Sequence, residues 1–150
     1  MYSKRELSKQ REAFWTAFGK YMLPVLSADR EKINWVNYKT GVPGVSFKMN
    51  AGNTDAGIAI VLSQTDAVLR KATYEQLRQL KEILHATLGE EWLWQPGVQD
   101  EYGKEVSMVS KELTGVNINR TEDWPGLISF FKPRIIALDE FWSTARYSFE

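Results

Sequence analysis

The sequence predicts an α+β fold in which helices pack on a mainly antiparallel sheet. Apolar residues repeat at helical spacing in three long segments, and short alternating stretches bounded by turn formers lie between those segments. The predicted order is helix, three strands, helix, about three strands and helix. No linker or low-complexity segment interrupts the chain, so we expect residues 1–150 to form a single domain.

The first predicted helix covers Lys4–Met22. Ser3 is suited to cap its start, and Pro24 ends the helical pattern soon after. We expect its apolar stripe to pack in the core, because acidic residues dilute the basic character that a membrane-surface helix needs. The stripe consists of Leu7, Phe14, Trp15, Phe18, Tyr21 and Met22.

Three short strands are predicted next, at Ile33–Lys39, Val45–Asn50 and Ala56–Leu62. The gaps between them are rich in glycine, proline and asparagine and suit antiparallel hairpins. The middle strand alternates between apolar and polar residues. The third strand is apolar on both faces, which predicts a central strand that is covered on both sides.

A long helix is predicted over Asp66–Leu88, and Gly89 stands where a left-handed cap is wanted. Thr73 with Gln76 resembles an internal capping box, so a break into two helices at that point stays open as an alternative. Three further strands are predicted at 91–95, 105–110 and 116–119.

The last predicted helix opens at Thr121–Pro125 and runs toward the C-terminus. Proline is favoured in the first turn of a helix, where its missing amide has no intrahelical partner. Pro133 lies inside the same apolar stripe. Because proline removes a backbone hydrogen bond and crowds the preceding turn, we expect a kink or a break near residues 131–132.

Helix, three-stranded meander, helix and strand is an order distantly similar to the core of the PD-(D/E)XK nucleases. Those enzymes hold Mg²⁺ with an Asp on the second strand and a Glu/Asp-x-Lys on the third. Here the second strand carries Ser46, Lys48 and Asn50, and residues 59–61 of the third contain no carboxylate. The similarity therefore brings no nuclease chemistry with it.

A closer resemblance begins at Phe14-Trp15 and continues to the end of the chain. It rests on the residues Leu88-Gly89-Glu90-Glu91-Trp92-Leu93-Trp94, on the hairpin before them, and on Trp124-Pro125 and Asp139-Glu140-Phe141-Trp142 after them. In these features the sequence resembles a bacterial family of domains of unknown function, which occur alone or C-terminal to a nuclease-like region. The resemblance implies an architecture and a nucleic-acid context, and no catalytic residue.

Reactive side chains are scarce. His85 is the one histidine and cysteine is absent, whereas most metal sites and most nucleophile–base pairs use those two residue types. We therefore predict no catalytic residue, no metal site and no cofactor, and we interpret His85 as a packed boundary residue. An enzyme of unrecognised type stays open as an alternative.

Charge and hydropathy limit the partners. Nineteen basic residues balance nineteen acidic ones, which removes the broad positive field of a general nucleic-acid binder. No apolar run approaches the roughly 18 residues that span a bilayer, so we expect no membrane insertion. The absence of cysteine fits a cytoplasmic location, which we expect.

Aromatic residues are the strongest feature that remains. The six tryptophans belong to the core on the simplest interpretation, but exposed rings beside a lysine can also stack on a ligand. The candidate binding residues are Trp35, Tyr38, Lys48, Trp92 and Trp94.

The leading hypothesis is a non-catalytic binding or protein-interaction domain that contacts a protein partner or a second copy of itself. The alternative is a nucleic-acid-contacting accessory module associated with nuclease or DNA-defence systems. That alternative is motivated by the family resemblance and by Lys32, Lys39 and Lys48, which lie on or near the first predicted strands.

Overall fold

The computed structural model describes residues 3–150. Its helices are α1 (Lys4–Met22), α2 (Ala67–Gln79), α3 (Lys81–Leu88) and α4 (Trp124–Ala145), and its strands are β1 (Val45–Ala51), β2 (Asp55–Leu62), β3 (Leu93–Gln99) and β4 (Glu105–Thr114). The α+β class and the order helix, strands, helix, strands, helix are confirmed. Across residues 3–150, each group contains two strands where the sequence predicts three.

All four strands join one antiparallel sheet in the order β1-β2-β4-β3. β2 is central, as its sequence predicts, because β1 pairs along one side of it and β4 along the other. A bulge interrupts the pairing of β3 with β4 between Gln95 and Val98. The two hairpins are therefore connected along the chain by α2 and α3, and in the sheet by direct pairing of β2 with β4.

The main core lies between one face of this sheet and the helices. Phe47, Ile58 and Ile60 belong to one buried cluster with side chains of α1, α2, α3 and α4. In that cluster Phe18 of α1 and Phe131 of α4 lie with their ring centroids 6.0 Å apart. Burying one such side chain is worth about 1.5–3 kcal/mol, so aromatic packing holds α1 against α4.

The helix ends follow the local sequence. Ser3 and Glu6 form a reciprocal capping box at the start of α1. The Asp66 carboxylate caps α2 by accepting hydrogen bonds from two amides of its first turn. Gly89 ends α3 in the left-handed conformation with φ 71°, which a residue without Cβ adopts at little cost.

The predicted helix Asp66–Leu88 is two helices, and the break lies at Leu80. The alternative of two helices is confirmed, but the position that it gave for the break, at Thr73 and Gln76, is wrong. Thr73 lies inside α2, where its hydroxyl donates to the Leu69 carbonyl at 2.8 Å. The sequence near Leu80 has no glycine or proline, so the break carries no local signal.

The predicted strand Ile33–Lys39 is wrong, because this segment forms turns. The Asn34 side chain accepts hydrogen bonds from two following amides, an arrangement that competes with strand pairing. Trp35 and Tyr38 therefore do not lie on opposite faces of a strand. The three-stranded meander of the nuclease comparison is a two-stranded hairpin.

The predicted strand Val116–Asn119 is also wrong. Ile118 is fully buried, and its amide donates to the Gly52 carbonyl at 2.9 Å. Its carbonyl accepts a hydrogen bond from the Trp124 indole at 2.7 Å. The segment is held as an irregular connection between β4 and α4, because its apolar residue packs into the core instead of a sheet.

α4 continues through Pro133, so of the two predicted alternatives the break is wrong, and the kink stays a prediction. Proline deprives the Ser129 carbonyl of its usual donor, but both residues are exposed on the outer side of the helix, where water is available. The opposite side carries Phe131, Ile135 and Leu138, all fully buried. Packing of that side outweighs one lost backbone hydrogen bond.

A buried carboxylate joins the segment between α1 and β1 to α4. Asp139 is 4% exposed, and it accepts hydrogen bonds from the Tyr38 hydroxyl at 2.6 Å and the Ala28 amide at 2.7 Å. Burial, together with the hydrogen bond and the charge of Asp139, raises the pKa of Tyr38 far above its ordinary value. The tyrosine therefore remains a proton donor at neutral pH.

We expect Asp139→Asn to lower the free energy of unfolding by about 2–4 kcal/mol, because an amide offers one acceptor oxygen where two donors converge. Tyr38→Phe leaves one carboxylate oxygen without its donor and should cost about 1–2 kcal/mol. Urea unfolding measures both. The control is Glu140→Gln at an exposed neighbour, with an expected change below about 0.5 kcal/mol. Similar small effects of Asp139→Asn and Glu140→Gln would contradict the assignment.

Candidate interaction surface

One face of the sheet carries no helix, and we call it the open face. Side chains alternate between the two faces of a strand, so every second residue points away from the helices. The open face is built from Lys48 and Asn50 of β1, Gly57, Ala59 and Val61 of β2, Val106, Met108, Ser110 and Glu112 of β4, and Leu93, Gln95 and Val98 of β3.

A groove with a volume of about 650 Å³ runs along the open face. Its lining comes entirely from the four strands, from Ser63 directly after β2, and from the turn between β3 and β4. Ligand pockets in proteins typically enclose about 300–1,000 Å³, so the groove is large enough to hold part of a ligand.

The floor of the groove is apolar. Ala59, Val61 and Val106 form a buried cluster separate from the main core, and Val98 and Met108 pack against it half-buried. The sequence predicts that another layer covers this side of the central strand, and that prediction is wrong. The side chains here are small, and neighbouring side chains on the same face shield them from solvent.

The rim of the groove carries both signs of charge. Lys104 donates to the Ser63 carbonyl at 2.8 Å, and the Asp100 carboxylate accepts hydrogen bonds from two amides of the β3–β4 turn. Asp100 thus has a structural role in the β3–β4 turn. The charged residues that line the groove are Lys48, Asp100, Glu101, Lys104, Lys111 and Glu112.

Of the five candidate binding residues, Lys48 is exposed on the open face. Trp35 and Tyr38 lie on the helix side instead. Trp35 is 2% exposed and its indole donates to the Val25 carbonyl at 2.9 Å. The Tyr38 ring stacks on Phe47 with centroids 4.9 Å apart.

Trp92 and Trp94 are also on the helix side. β3 begins at Leu93, two residues after the predicted start at residue 91. Trp92 therefore precedes the strand, and the two tryptophans do not share a strand face. The Trp94 indole donates to Nε2 of His85 at 3.0 Å, and the Trp92 indole donates to Glu90 at 2.7 Å. The Lys81 ammonium lies 5.7 Å from the ring centre of Trp94.

None of the six tryptophans is exposed: three are buried and three are half-buried. The high aromatic content therefore supplies the core, and the structure does not gather the five candidates on one surface. Direct ligand contact by the four aromatic candidates stays a prediction. The sequence did contain one signal for the groove, the small residues at alternate positions of β2, Gly57, Ala59 and Val61.

Glu90 connects the end of α3 to α4. Its carboxylate accepts two hydrogen bonds from the Arg134 guanidinium, both at 2.9 Å, besides the one from Trp92. Burial by itself would raise the pKa of Glu90. The hydrogen bonds from Arg134 and Trp92, with the positive charges of Arg134 and Lys111, outweigh burial and hold the pKa below its ordinary value.

Within residues 3–150, no group of three or more His, Cys, Asp or Glu side chains could hold a metal ion. None of the helices in this range is both long and apolar enough to cross a membrane.

We expect Glu90→Gln to lower the free energy of unfolding by about 1–3 kcal/mol at pH 7. The pKa of Glu90 is lower in the folded state, so its contribution is fully present above the unfolded value of about 4.3 and is lost as the pH falls through the folded value. Urea unfolding between pH 7 and 3 should show the difference from wild type shrinking. Glu82→Gln, an exposed control on α3, should show no such trend. A pH-independent difference for Glu90→Gln would refute the ion-pair explanation.

Comparison with protein-family models gives a match over most of the chain. The family model described as a domain of unknown function, DUF4268, matches residues 10–146. No curated protein and no solved structure matches the chain. The match covers α2, α3, α4 and all four strands, and it includes α1 from residue 10 onward. The chain therefore belongs to the DUF4268 family.

Proposed function

We propose that residues 1–150 act as a single, non-catalytic protein-interaction domain whose binding surface is the open face. The observation that carries the proposal is a groove on a side of the sheet that no helix covers, where half-buried Val98 and Met108 pack against the buried floor of Ala59, Val61 and Val106. An apolar floor inside a polar rim is the usual composition of a protein interface.

The rim favours a protein partner over a nucleic acid. Asp100, Glu101 and Glu112 line the same groove as Lys48 and Lys104. A nucleic acid that followed this groove would meet carboxylates as often as ammonium groups, and binding of a polyanion depends on a mainly basic contact. A polypeptide can instead place side chains of either sign opposite such a rim.

The composition supports a further part of the proposal, a cytoplasmic location. A chain without cysteine needs no oxidising compartment, and the proposed partner is accordingly a protein of the cytoplasm.

The test is selection of random displayed peptides of about 12 residues on the immobilised protein, with measurement of the affinities of enriched sequences. We expect binders that lose about tenfold or more in affinity against Ala59→Arg, which places a guanidinium on the groove floor. Ser110 is half-buried in the wall of the groove, so Ser110→Arg narrows the groove without changing its buried floor. It should cause a similar loss of affinity. Ala86→Arg, the same charge change at an exposed site on α3, is the matched control.

Two results would overturn the proposal. One is an absence of enriched peptides, or enriched peptides that bind both groove variants as tightly as wild type. The other is binding of labelled DNA of about 30 nucleotides at about 50 mM salt that Ser110→Arg abolishes, which would assign the open face to nucleic acid.

A further inference from the structure

The two edges of the sheet differ in how they are protected. The outer edge of β3 contains Pro96, which has no amide to donate, and the bulge between Gln95 and Val98. Both features prevent a further strand from pairing. β1, at the opposite edge, contains neither proline nor bulge from Val45 to Ala51.

The hairpin register fixes which groups of β1 are paired. A backbone hydrogen bond joins Ser63 to Gly44 at 2.8 Å, and another joins Gly52 to Asp55 at 2.8 Å. In an antiparallel ladder the hydrogen-bonded pairs recur at every second residue, so residues 46, 48 and 50 bond to β2. The odd-numbered residues from 45 to 51 direct their amide and carbonyl groups away from β2.

Part of this outer row is already occupied. The Val45 amide donates to the Val42 carbonyl at 3.1 Å, and the Val45 carbonyl accepts from the Thr40 hydroxyl at 2.7 Å. At Phe47 and Met49, no group within residues 3–150 hydrogen bonds to the outward amide or carbonyl. Their donors and acceptors repeat about every 7 Å, which is the spacing of an extended polypeptide.

The segment that forms and precedes this edge carries only positive charges. Lys48 is exposed on β1, and exposed Lys39 lies between Tyr38, which stacks on Phe47, and Thr40, which bonds to Val45. From residue 32 to residue 54 the sequence contains three lysines and no acidic residue, although the whole chain is neutral. A second copy would place like charges opposite each other, whereas an acidic strand would complement them.

We propose that β1 binds an acidic, extended segment of a partner protein as a fifth strand, paired with Phe47 and Met49 and carrying carboxylates toward Lys39 and Lys48. The inference rests on the proposed function, because it specifies the chemistry of the partner of the same sheet. Main-chain hydrogen bonds hold the added strand, and its alternate side chains extend the open face.

The probe is a capped peptide of about nine residues that alternates threonine with glutamate, titrated into ¹⁵N-labelled protein. We expect the amides of Phe47 and Met49 to shift and their hydrogen exchange to slow by about tenfold or more at saturation. A peptide with lysine in place of glutamate is the matched control and should bind at least about tenfold more weakly.

Met49→Pro removes an outward amide while leaving every β1–β2 hydrogen bond in place, and should weaken binding by about tenfold or more. Met49→Ala keeps the amide and should bind within about threefold of wild type. Lys48→Glu reverses one edge charge and should weaken binding about tenfold. If Met49→Pro does not fold, Lys48→Glu and the amide exchange profile carry the test.

The edge assignment fails if the lysine peptide binds as well as the glutamate peptide, if folded Met49→Pro binds like wild type, or if the glutamate peptide does not bind. It also fails if the shifts appear at open-face residues such as Ser110 and not at Phe47 and Met49. Each of these outcomes leaves the proposed function standing, because the display experiment also tests the groove with Ser110→Arg, which lies on β4 and does not pair with β1.

Discussion

The pairing of β2 with β4 is the contact on which the rest of the structure depends. It runs from Asp55 to Leu62 and joins two hairpins that are separated in the chain by α2 and α3. Because both strands of this pair are internal, the sheet has its edges at β1 and β3. The helices pack on one side of this pair, so the sheet keeps one open face, and the candidate groove follows from that asymmetry.

The residues of β2 determine how the two faces differ. Ile58 and Ile60 point to the helices and fill the main core, while Gly57, Ala59 and Val61 point the other way. Close packing against helices requires volume, and small side chains leave a shallow apolar floor instead. One strand therefore contributes both to the stability of the core and to the shape of the open face.

The sequence predicts features that neighbouring residues determine, and it misses features that depend on contacts between residues far apart in the chain. The Ser3 cap of α1 and the Gly89 cap of α3 depend on neighbours in the chain, and both occur. The break at Leu80 has no such local signal. Alternation along the strand places Lys48 on the polar face, but the groove beside it depends on the β2–β4 register, which no periodicity specifies. Trp35, Trp92 and Trp94 are candidates because composition counts rings without locating them.

The chain is neutral overall, but its charges are unevenly distributed, and this local excess of lysine distinguishes the β1 edge. A uniform basic field is excluded by equal numbers of acidic and basic residues, but a partner responds only to charges within about 10 Å of the contact. The segment from 32 to 54 contributes only lysines there, and the fold places part of it beside a strand with unpaired backbone groups. Backbone pairing selects a polypeptide over other polyanions, and the lysines select its sign. Specificity at this edge therefore comes from two independent constraints that meet in β1.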